Sequence, residues 1–351
     1  MHAQTIVIDL AKEVFEIGFF NQAGTSIGRK RLRRNEFERF LAKAEPAHVV
    51  MEACGSAHFW GREFSKRQHH VALLSPRHVR PFRRGNKTDR ADVSAIYNAS
   101  RSHDIKPVAI KSVDQQNLQL AHRAREQWKV LRLQRINGVR AVFREHGVAF
   151  APGVHDFVAT ARRAIDDTPA VRFLVPILNA MLDDIVRSEA AMATVEQLLN
   201  SAGRENDDIK RLQTIPGIGL ITSTAMVAAV DCPTHFRSGR QFSNWLGVVP
   251  KEHSSGDRRV LGKITRRGDV YLRSLLIHGA RAVLAAALRT RVAAPDKLTP
   301  LQAWAVELRD RMHFNKAAVA LANKLARIAW SVWTRQKPYD ARHLVQEATA
   351  A

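Results

Sequence analysis

The sequence has few cysteines, a minority of acidic residues and no long apolar run, and each shortage excludes a class of protein. Cys54 and Cys232 are the only cysteines among 351 residues, too few for a disulfide framework or a thiolate zinc site. The N-terminus leads straight into a strand pattern without the basic and apolar segments of a signal peptide. No stretch is long enough to read as a membrane span. We therefore expect a cytoplasmic protein of bacterial type with no membrane partner.

Positive charge is abundant instead. The chain carries 55 Lys and Arg against 33 Asp and Glu, a formal net charge of +22. Such a surplus favours a polyanionic partner, because each neutralised phosphate releases condensed counterions. Nucleic acid is the predicted partner, which would place the protein at the bacterial nucleoid. A basic protein without nucleic acid, or one bound to a membrane surface, is the alternative.

The first third of the chain has the pattern of an α/β domain. Three strands are predicted at Thr5–Leu10, Val14–Phe20 and Ser26–Leu32. Helices then alternate with strands at His48–Glu52 and Val71–Ser75. A three-strand meander followed by alternating helices and strands is the order of an RNase H-like, RuvC-like fold.

Acidic residues end two of these strands. Asp9 lies near the end of one apolar strand and Glu52 at the end of another, and an acid in such a place is costly unless something binds it. Asp89 and Asp92 lie three residues apart at the start of a helix that Thr88 can cap. Four convergent carboxylates repel one another and demand Mg²⁺ or Mn²⁺. Solvated or turn-capping acids are the alternative interpretation.

The middle of the chain is predicted to be helical. One long helix spans about Ser112 to Gly147 and a second runs from Thr168 to Asn200, broken or bent at Pro176. We expect a helical hairpin that projects from the first module and either pairs with another subunit or grips a nucleic-acid backbone. A solvated basic face is the alternative. The candidate nucleic-acid contacts of the first helix are Arg123, Arg125, Lys129 and Arg132.

A Pro-Gly-x-Gly turn follows at Ile215–Gly219. It resembles a helix-hairpin-helix motif, in which amides exposed by Gly217 and Gly219 and by the next helix N-terminus bind a DNA phosphate without reading sequence. A plain turn between two helices is the alternative.

The segment from Phe242 to Leu276 carries a second chemical signal, the turn Ser254-Ser255-Gly256. Such turns are ordinary on surfaces, but here a guanidinium-rich stretch follows that would suit a phosphate clamp around an attacking hydroxyl. The predicted nucleic-acid contacts of this stretch are Arg258, Arg259, Lys263, Arg266, Arg267 and Arg273.

Taken together and in order, these motifs resemble the insertion-sequence 110 family of transposases, its 1111 subgroup in particular. The resemblance extends over nearly the whole chain. The segments that carry it are Ile8–Lys12, Met51–Ser56, Asn86–Asp92, Ile215–Gly219, Leu246–Gly256, Ile264–Asp269 and Ala318–Trp330.

The resemblance implies three modules: a RuvC-like catalytic domain at 1–110, a helical coiled-coil and dimerisation region at 111–205, and a mainly α C-terminal transposase domain with the serine loop at 206–340. It implies a catalytic metal site of Asp9, Glu52, Asp89 and Asp92. Ser255 would be the nucleophile, with Ser254 in reserve. Asp257 stands where many relatives have a small or basic residue.

The resemblance also implies the reaction and the partners. The serine would attack a DNA phosphate to form a phosphoserine link, with the metal site of one subunit completed by the serine of another. A structured non-coding RNA, the bridge RNA, would pair with donor and target double-stranded DNA. The assembly would be a homodimer and, in the synaptic complex, a tetramer.

Three other functions stay open from the sequence. One is a RuvC-like, structure-specific nuclease or resolvase that uses the metal site with water. Another is a site-specific invertase that works without an RNA guide. The last is a non-catalytic nucleic-acid-binding protein that only occupies element ends.

Overall fold

The chain divides into two units, Met1–Asp114 and Gln115–Ala351. The computed structural model describes residues 4–83, 89–153, 155–256 and 258–341, and within the first helical turn after residue 88 it leaves out the side chains of Asp89 and Arg90. The elements of the first unit are β1 (Thr5–Asp9), β2 (Val14–Phe20), β3 (Ser26–Arg33), α1 (Arg34–Lys43), β4 (His48–Glu52), α2 (Ala57–Ser65), β5 (His70–Leu74), α3 (Pro76–Val79) and α4 (Asp89–Ser100).

A five-stranded sheet in the order β3-β2-β1-β4-β5 forms the centre of this unit. β1, β2 and β3 pair in antiparallel fashion, whereas β4 and β5 continue the sheet parallel to β1. The predicted meander and alternation are therefore present. The mixed α/β order agrees with the RNase H-like class expected from the sequence.

Side chains alternate between the two faces of the sheet, and both faces are covered. Ile8 and Met51 point to a core shared with α1 and α2, in which Phe37 and Trp60 are buried. On the opposite face lies a second core, which contains helix α4. The sheet residues of this second core include Val7, Val50, Ala72 and Leu74. Because successive residues of a strand point to opposite faces, their position in this alternation decides which side chains at the strand ends can contact α4.

The second unit is mostly helical. Its elements are α5 (Val113–Glu145, which begins two residues before the unit boundary), α6 (Phe157–Asp167), α7 (Val175–Glu205), α8 (Asp207–Gln213), α9 (Leu220–Ala229), α10 (Gly239–Trp245), β6 (Pro250–Glu252), β7 (Leu261–Ile264), α11 (Val270–Ala293), α12 (Pro300–Arg311) and α13 (Phe314–Arg335).

The long helix expected in the middle of the chain is α5, and the second helical stretch is mainly α7. The expected break close to Pro176 is confirmed, because the helical stretch is divided just before this residue. A short 3-10 segment covers Pro169–Leu174, and Pro176 lies in the first turn of α7. Proline fits there because its missing N–H would have no partner inside the helix anyway.

Among the described helices, only α11 is long and apolar enough to cross a membrane by length and composition. Seven of its residues are buried in the second unit. The helix packs against α9, α12 and α13. This is the packing of a core helix.

Candidate active site

Asp9 and Glu52 are the last residues of two neighbouring parallel strands. Ile8 of β1 pairs in parallel with Met51 of β4, and the next residues along the two strands are the two acids. Because alternate residues share a face, Asp9 follows Val7 and Glu52 follows Val50 onto the side covered by α4. Both carboxylates also raise the pKa of the nearby Cys54 thiol, although burial is the larger cause.

Asp92 reaches the same face from α4. It is 6% exposed, and the adjacent Val93 is buried in the core between α4 and the sheet. Asp89 is the first residue of this helix, one turn before Asp92, but its side chain lies outside the described residues, as does the Thr88 that was expected to cap the helix. The structure thus brings three of the four predicted carboxylates to one region of the first unit.

Arg83 lies between two of these carboxylates. Its Nη2 donates a hydrogen bond of 3.0 Å to Glu52 Oε2. Its Nε is 2.8 Å from Asp92 Oδ1. Both of these atoms are buried, and neither has a hydrogen-bond partner. The second contact is therefore an ion pair without hydrogen-bond alignment. Sequence reasoning missed Arg83, since nothing in a run of basic residues marks which arginine turns inward.

Within the described part of the chain, no three His, Cys, Asp or Glu side chains are grouped so that they could hold a metal ion. The side chain of Asp89 is not among those described. The donor set itself suits a hard divalent cation, because every candidate ligand is a carboxylate oxygen. The buried Oδ1 of Asp92, without a hydrogen bond, is an atom that such a cation would satisfy.

The two candidate serines differ in their surroundings. Ser254 Oγ donates a hydrogen bond of 2.8 Å to Glu252 Oε1 and accepts one of 3.2 Å from the Val260 N–H. These bonds close the β6–β7 hairpin. Ser255 is exposed and exchanges backbone hydrogen bonds with Arg258. Its hydroxyl has no hydrogen-bond partner among the described residues, from which Asp257 is left out.

The predicted basic residues of α5 are largely engaged within the second unit. Arg125 Nη2 is 2.6 Å from Glu196 Oε1, and Arg132 Nε is 2.7 Å from Glu189 Oε1, both on α7. Lys129 pairs with Glu126 on its own helix. Arg123 is exposed, and we find no ion pair for it among the described residues. These contacts hold the two long helices together.

The two glycines of the Pro-Gly-x-Gly turn have different roles. Gly217 has φ +82°, and a Cβ there would lie 2.9 Å from the carbonyl oxygen of Gly279 in α11. Gly219 is the N-cap of α9 and has open space around it. Close packing therefore accounts for Gly217, whereas Gly219 leaves the N-terminus of α9 accessible.

A basic cavity of about 2460 Å³ lies in the second unit between the β6–β7 hairpin and α13. Nine Lys and Arg residues line it against the single acid Asp340. Of the residues predicted from sequence it contains Lys263, Arg266 and Arg273. The six cationic residues that sequence reasoning missed are Arg240, Lys316, Lys324, Arg327, Arg335 and Lys337.

The cavity is formed by elements that are far apart in sequence. The sequence pattern could therefore not predict the cavity. Asn323 of α13 donates to the carbonyl of Val248 ahead of the hairpin, at 3.2 Å. Gly239 packs directly against the backbone of Arg327. Spacing along α13 places Lys316, Asn323 and Arg327 on one helical face, and only the fold shows that this face meets the hairpin.

The other predicted contacts of the serine loop vary in exposure. Arg258 is exposed, and Arg259 is 72% exposed with its Nε 3.3 Å from Glu252 Oε1. Arg267 is also exposed. Arg273 is 8% exposed, and its Nη1 donates to the carbonyl of Gly268 at 3.2 Å. Arg273 thus braces the turn before α11 from inside the fold.

Known proteins similar to this chain point to one family. Residues 209–293 match the family described as Transposase IS116/IS110/IS902, and residues 6–147 match a transposase family of the IS110 DEDD type. A probable family 20 transposase of Pseudomonas aeruginosa is 37% identical over 97% of this chain and 99% of its own length.

Two further relatives come from named insertion sequences. The transposase for IS1111A of Coxiella burnetii is 35% identical over 95% of this chain and 90% of its own length. The transposase for IS1328 of Yersinia enterocolitica is 34% identical over 94% of this chain and 96% of its own length. With full-length relatives at this identity, the chain belongs to the IS110 family of insertion-sequence transposases, enzymes that cut and rejoin DNA.

Proposed function

We propose that this transposase cuts and rejoins DNA at a divalent-metal site made by Asp9, Glu52, Asp89 and Asp92. The observation that carries the proposal is the placement of Asp9 and Glu52 at the ends of neighbouring parallel strands, on the face where Asp92 of α4 lies. Asp89 belongs to the proposal through its position one helical turn before Asp92.

The four carboxylates would hold Mg²⁺ or Mn²⁺, the hard ions that prefer oxygen ligands. Divalent metal ions are typical of DEDD transposases. When bound, such ions activate the attacking oxygen and stabilise the leaving oxygen of an in-line phosphoryl displacement. The protein supplies the negative charge that gathers the ions and the rigid sheet edge that fixes their ligands.

Ser255 is the proposed nucleophile. Its exposed hydroxyl has no hydrogen-bond partner among the described residues, whereas Ser254 is held by Glu252 and Val260. In the proposed step a bond forms between Ser255 Oγ and the DNA phosphorus while a bond from phosphorus to a sugar oxygen breaks. Ser255 Oγ loses its proton, and the released sugar oxygen takes up a proton to become a hydroxyl. Attack of a sugar hydroxyl on the phosphoserine then rejoins the strand and frees the serine.

The basic cavity is the proposed nucleic-acid groove of the second unit. Its nine cationic residues against one acid give the charge that a phosphate backbone requires. The proposed partners are donor and target DNA together with a bridge RNA, whose base pairing would supply sequence choice. The family resemblance and the net charge of +22 support this assignment.

The region 111–205 is proposed as the coiled-coil and dimerisation module of a homodimer, with a tetramer at synapsis. In support, α5 and α7 keep large apolar side chains exposed although they are ion-paired to each other. Leu120 is 57% exposed and Leu198 is 62% exposed. Exposed apolar stripes of this kind favour a partner surface. The remaining modules would be the catalytic domain at 1–110 and the transposase domain at 206–340.

Strand exchange on labelled donor and target DNA with Mg²⁺, with and without RNA from the non-coding flank of the element, tests the proposal. RNA-dependent joining is expected in the wild type and is expected to vanish in Asp92→Asn. The exposed Asp104→Asn serves as the matched control. Metal-dependent hydrolysis without rejoining, indifferent to RNA, would instead favour a structure-specific nuclease.

A further inference from the structure

We propose that Arg83 is the internal counter-cation of the carboxylate site and that it exchanges with the divalent metal. In the structure the guanidinium pairs with Glu52 and Asp92. On metal binding it withdraws from them. The inference deepens the metal site of the proposed function and rests on it.

Geometry and burial support the role of Arg83 as a counter-cation to Glu52 and Asp92. Arg83 Nη2 lies 3.0 Å from Glu52 Oε2, and its Nε lies 2.8 Å from Asp92 Oδ1. The carboxylate side chains are only 16% and 9% exposed, and that of Arg83 is 32% exposed. Two largely buried carboxylates of like charge need a cation between them, and a guanidinium can serve two acids at once.

The geometry of the contact with Asp92 supports the replacement of Arg83 by a divalent cation. The contact with Asp92 lacks hydrogen-bond alignment, and both of its atoms have no other hydrogen-bond partner. A cation that coordinates Oδ1 directly would satisfy this atom better than the misaligned guanidinium does. Because a guanidinium and a divalent ion repel each other at such short range, the two cannot share the same pair of carboxylates without large cost.

Exchange would also give Arg83 a second task. A guanidinium released from Glu52 and Asp92 would be free to bind a DNA phosphate at the same site. Arginine binds phosphate oxygens with paired N–H donors. Metal loading would then turn a group that pairs with carboxylates into one that pairs with DNA.

The test measures metal binding without DNA, on the full-length protein. Mn²⁺ affinity is compared between the wild type, Arg83→Gln and Arg80→Gln by electron paramagnetic resonance and calorimetry. Arg80 is the matched control, because it is an exposed arginine three residues earlier, in the 3-10 segment Arg80–Phe82 that Arg83 follows. Arg83→Gln is expected to bind Mn²⁺ at least about tenfold more tightly. Arg80→Gln is expected to change the affinity by less than about twofold.

A second measurement covers the metal-free state. Without metal, Arg83→Gln is expected to melt at a lower temperature than the wild type, and Mn²⁺ is expected to raise its melting temperature by more. Arg83→Lys keeps the charge but not the forked donors, so its Mn²⁺ affinity should fall between the two. This conservative variant also serves if Arg83→Gln does not fold.

The outcomes separate this inference from the metal site on which it rests. Equal or weaker Mn²⁺ binding by both Arg83 variants, with binding by the wild type intact, overturns the exchange and leaves the metal site standing. Absence of Mn²⁺ binding in the wild type and in every variant overturns the metal site itself, and the exchange with it.

Discussion

Gly217, in the turn before α9, and Gly279, in α11, approach each other so closely that neither position has room for a methyl group. A Cβ on Gly217 would meet both the carbonyl oxygen of Gly279 and the side chain of Val283. The turn that resembles a DNA-binding hairpin is therefore also a packing junction of the second unit.

Gly217→Ala should destabilise the protein strongly. The substitution adds left-handed backbone strain to a steric clash, and the strain alone costs roughly 1–3 kcal/mol. Gly219→Ala is the matched control, because Gly219 has a negative φ and open space around it. Urea unfolding of both variants measures the difference, and an equal loss in the two would contradict the packing argument.

Ser255→Ala should abolish the covalent protein-DNA adduct and reduce strand joining by at least about a thousandfold, because the attacking atom is gone. Ser254→Ala should retain the adduct. The two hydrogen bonds that it removes from an exposed hairpin are worth about 1 kcal/mol each, so joining should slow by no more than about thirtyfold. Trapping of the adduct on denaturing gels distinguishes the two. An adduct that survives in Ser255→Ala and disappears in Ser254→Ala would reverse the assignment.

His122 of α5 should make the second unit sensitive to acid. Its Nε2 lies 3.0 Å from Thr224 Oγ1 and its Nδ1 lies 3.0 Å from the Tyr271 hydroxyl. Thr224 Oγ1 also lies 2.6 Å from the Leu220 carbonyl, to which it donates. We infer that Nε2 carries the proton and that the ring is neutral. Burial, with a smaller effect of Arg125, lowers the pKa of His122 to about 4.

The sign of the pH effect follows from that lowered pKa. Below pH 6.5 His122 is protonated in the unfolded chain, whereas in the folded protein it stays neutral down to about pH 4. The free energy of unfolding should therefore fall as the pH drops through this window, by up to roughly 3 kcal/mol in total. His122→Gln should lose this share of the pH dependence, as measured by urea unfolding at pH 7.5 and pH 5. An unchanged difference between the two pH values would show that other groups cause it.

The basic cavity should determine the salt dependence of DNA binding. Replacing Lys263 and Arg327 with glutamine should reduce the slope of log affinity against log salt by about 2, since each phosphate that is no longer neutralised lowers it by about 0.9. Arg291→Gln is the control, because Arg291 is paired with Asp310 and is not among the cavity residues. A slope that changes equally in both proteins would place the DNA elsewhere.

Much of the first unit could be predicted from sequence because its signals are local. Apolar runs that end in an acid, such as those at Asp9 and Glu52, mark both the strands and the face on which the acids meet. The break close to Pro176 was predictable for a local reason as well, since proline within a helical pattern marks where one helix ends and the next begins.

What sequence could not predict depends on contacts between distant segments. Arg83 joins Glu52 and Asp92 across 31 and 9 positions respectively. The cavity is lined by Lys263 of β7 and by Arg327 of α13, which are far apart in sequence. Conversely, Arg125 and Arg132 looked like free nucleic-acid contacts, but their pairing with α7 is visible only once the helices are placed.

In the part of the chain that the structure describes, β3 forms one edge of the central sheet and has β2 as its one partner strand. Four of its residues are cationic: Arg29, Lys30, Arg31 and Arg33. An edge strand so charged repels the same edge of a second copy and so resists sheet-to-sheet aggregation. High local concentrations of this protein should therefore not lead to pairing between the β3 strands of two copies.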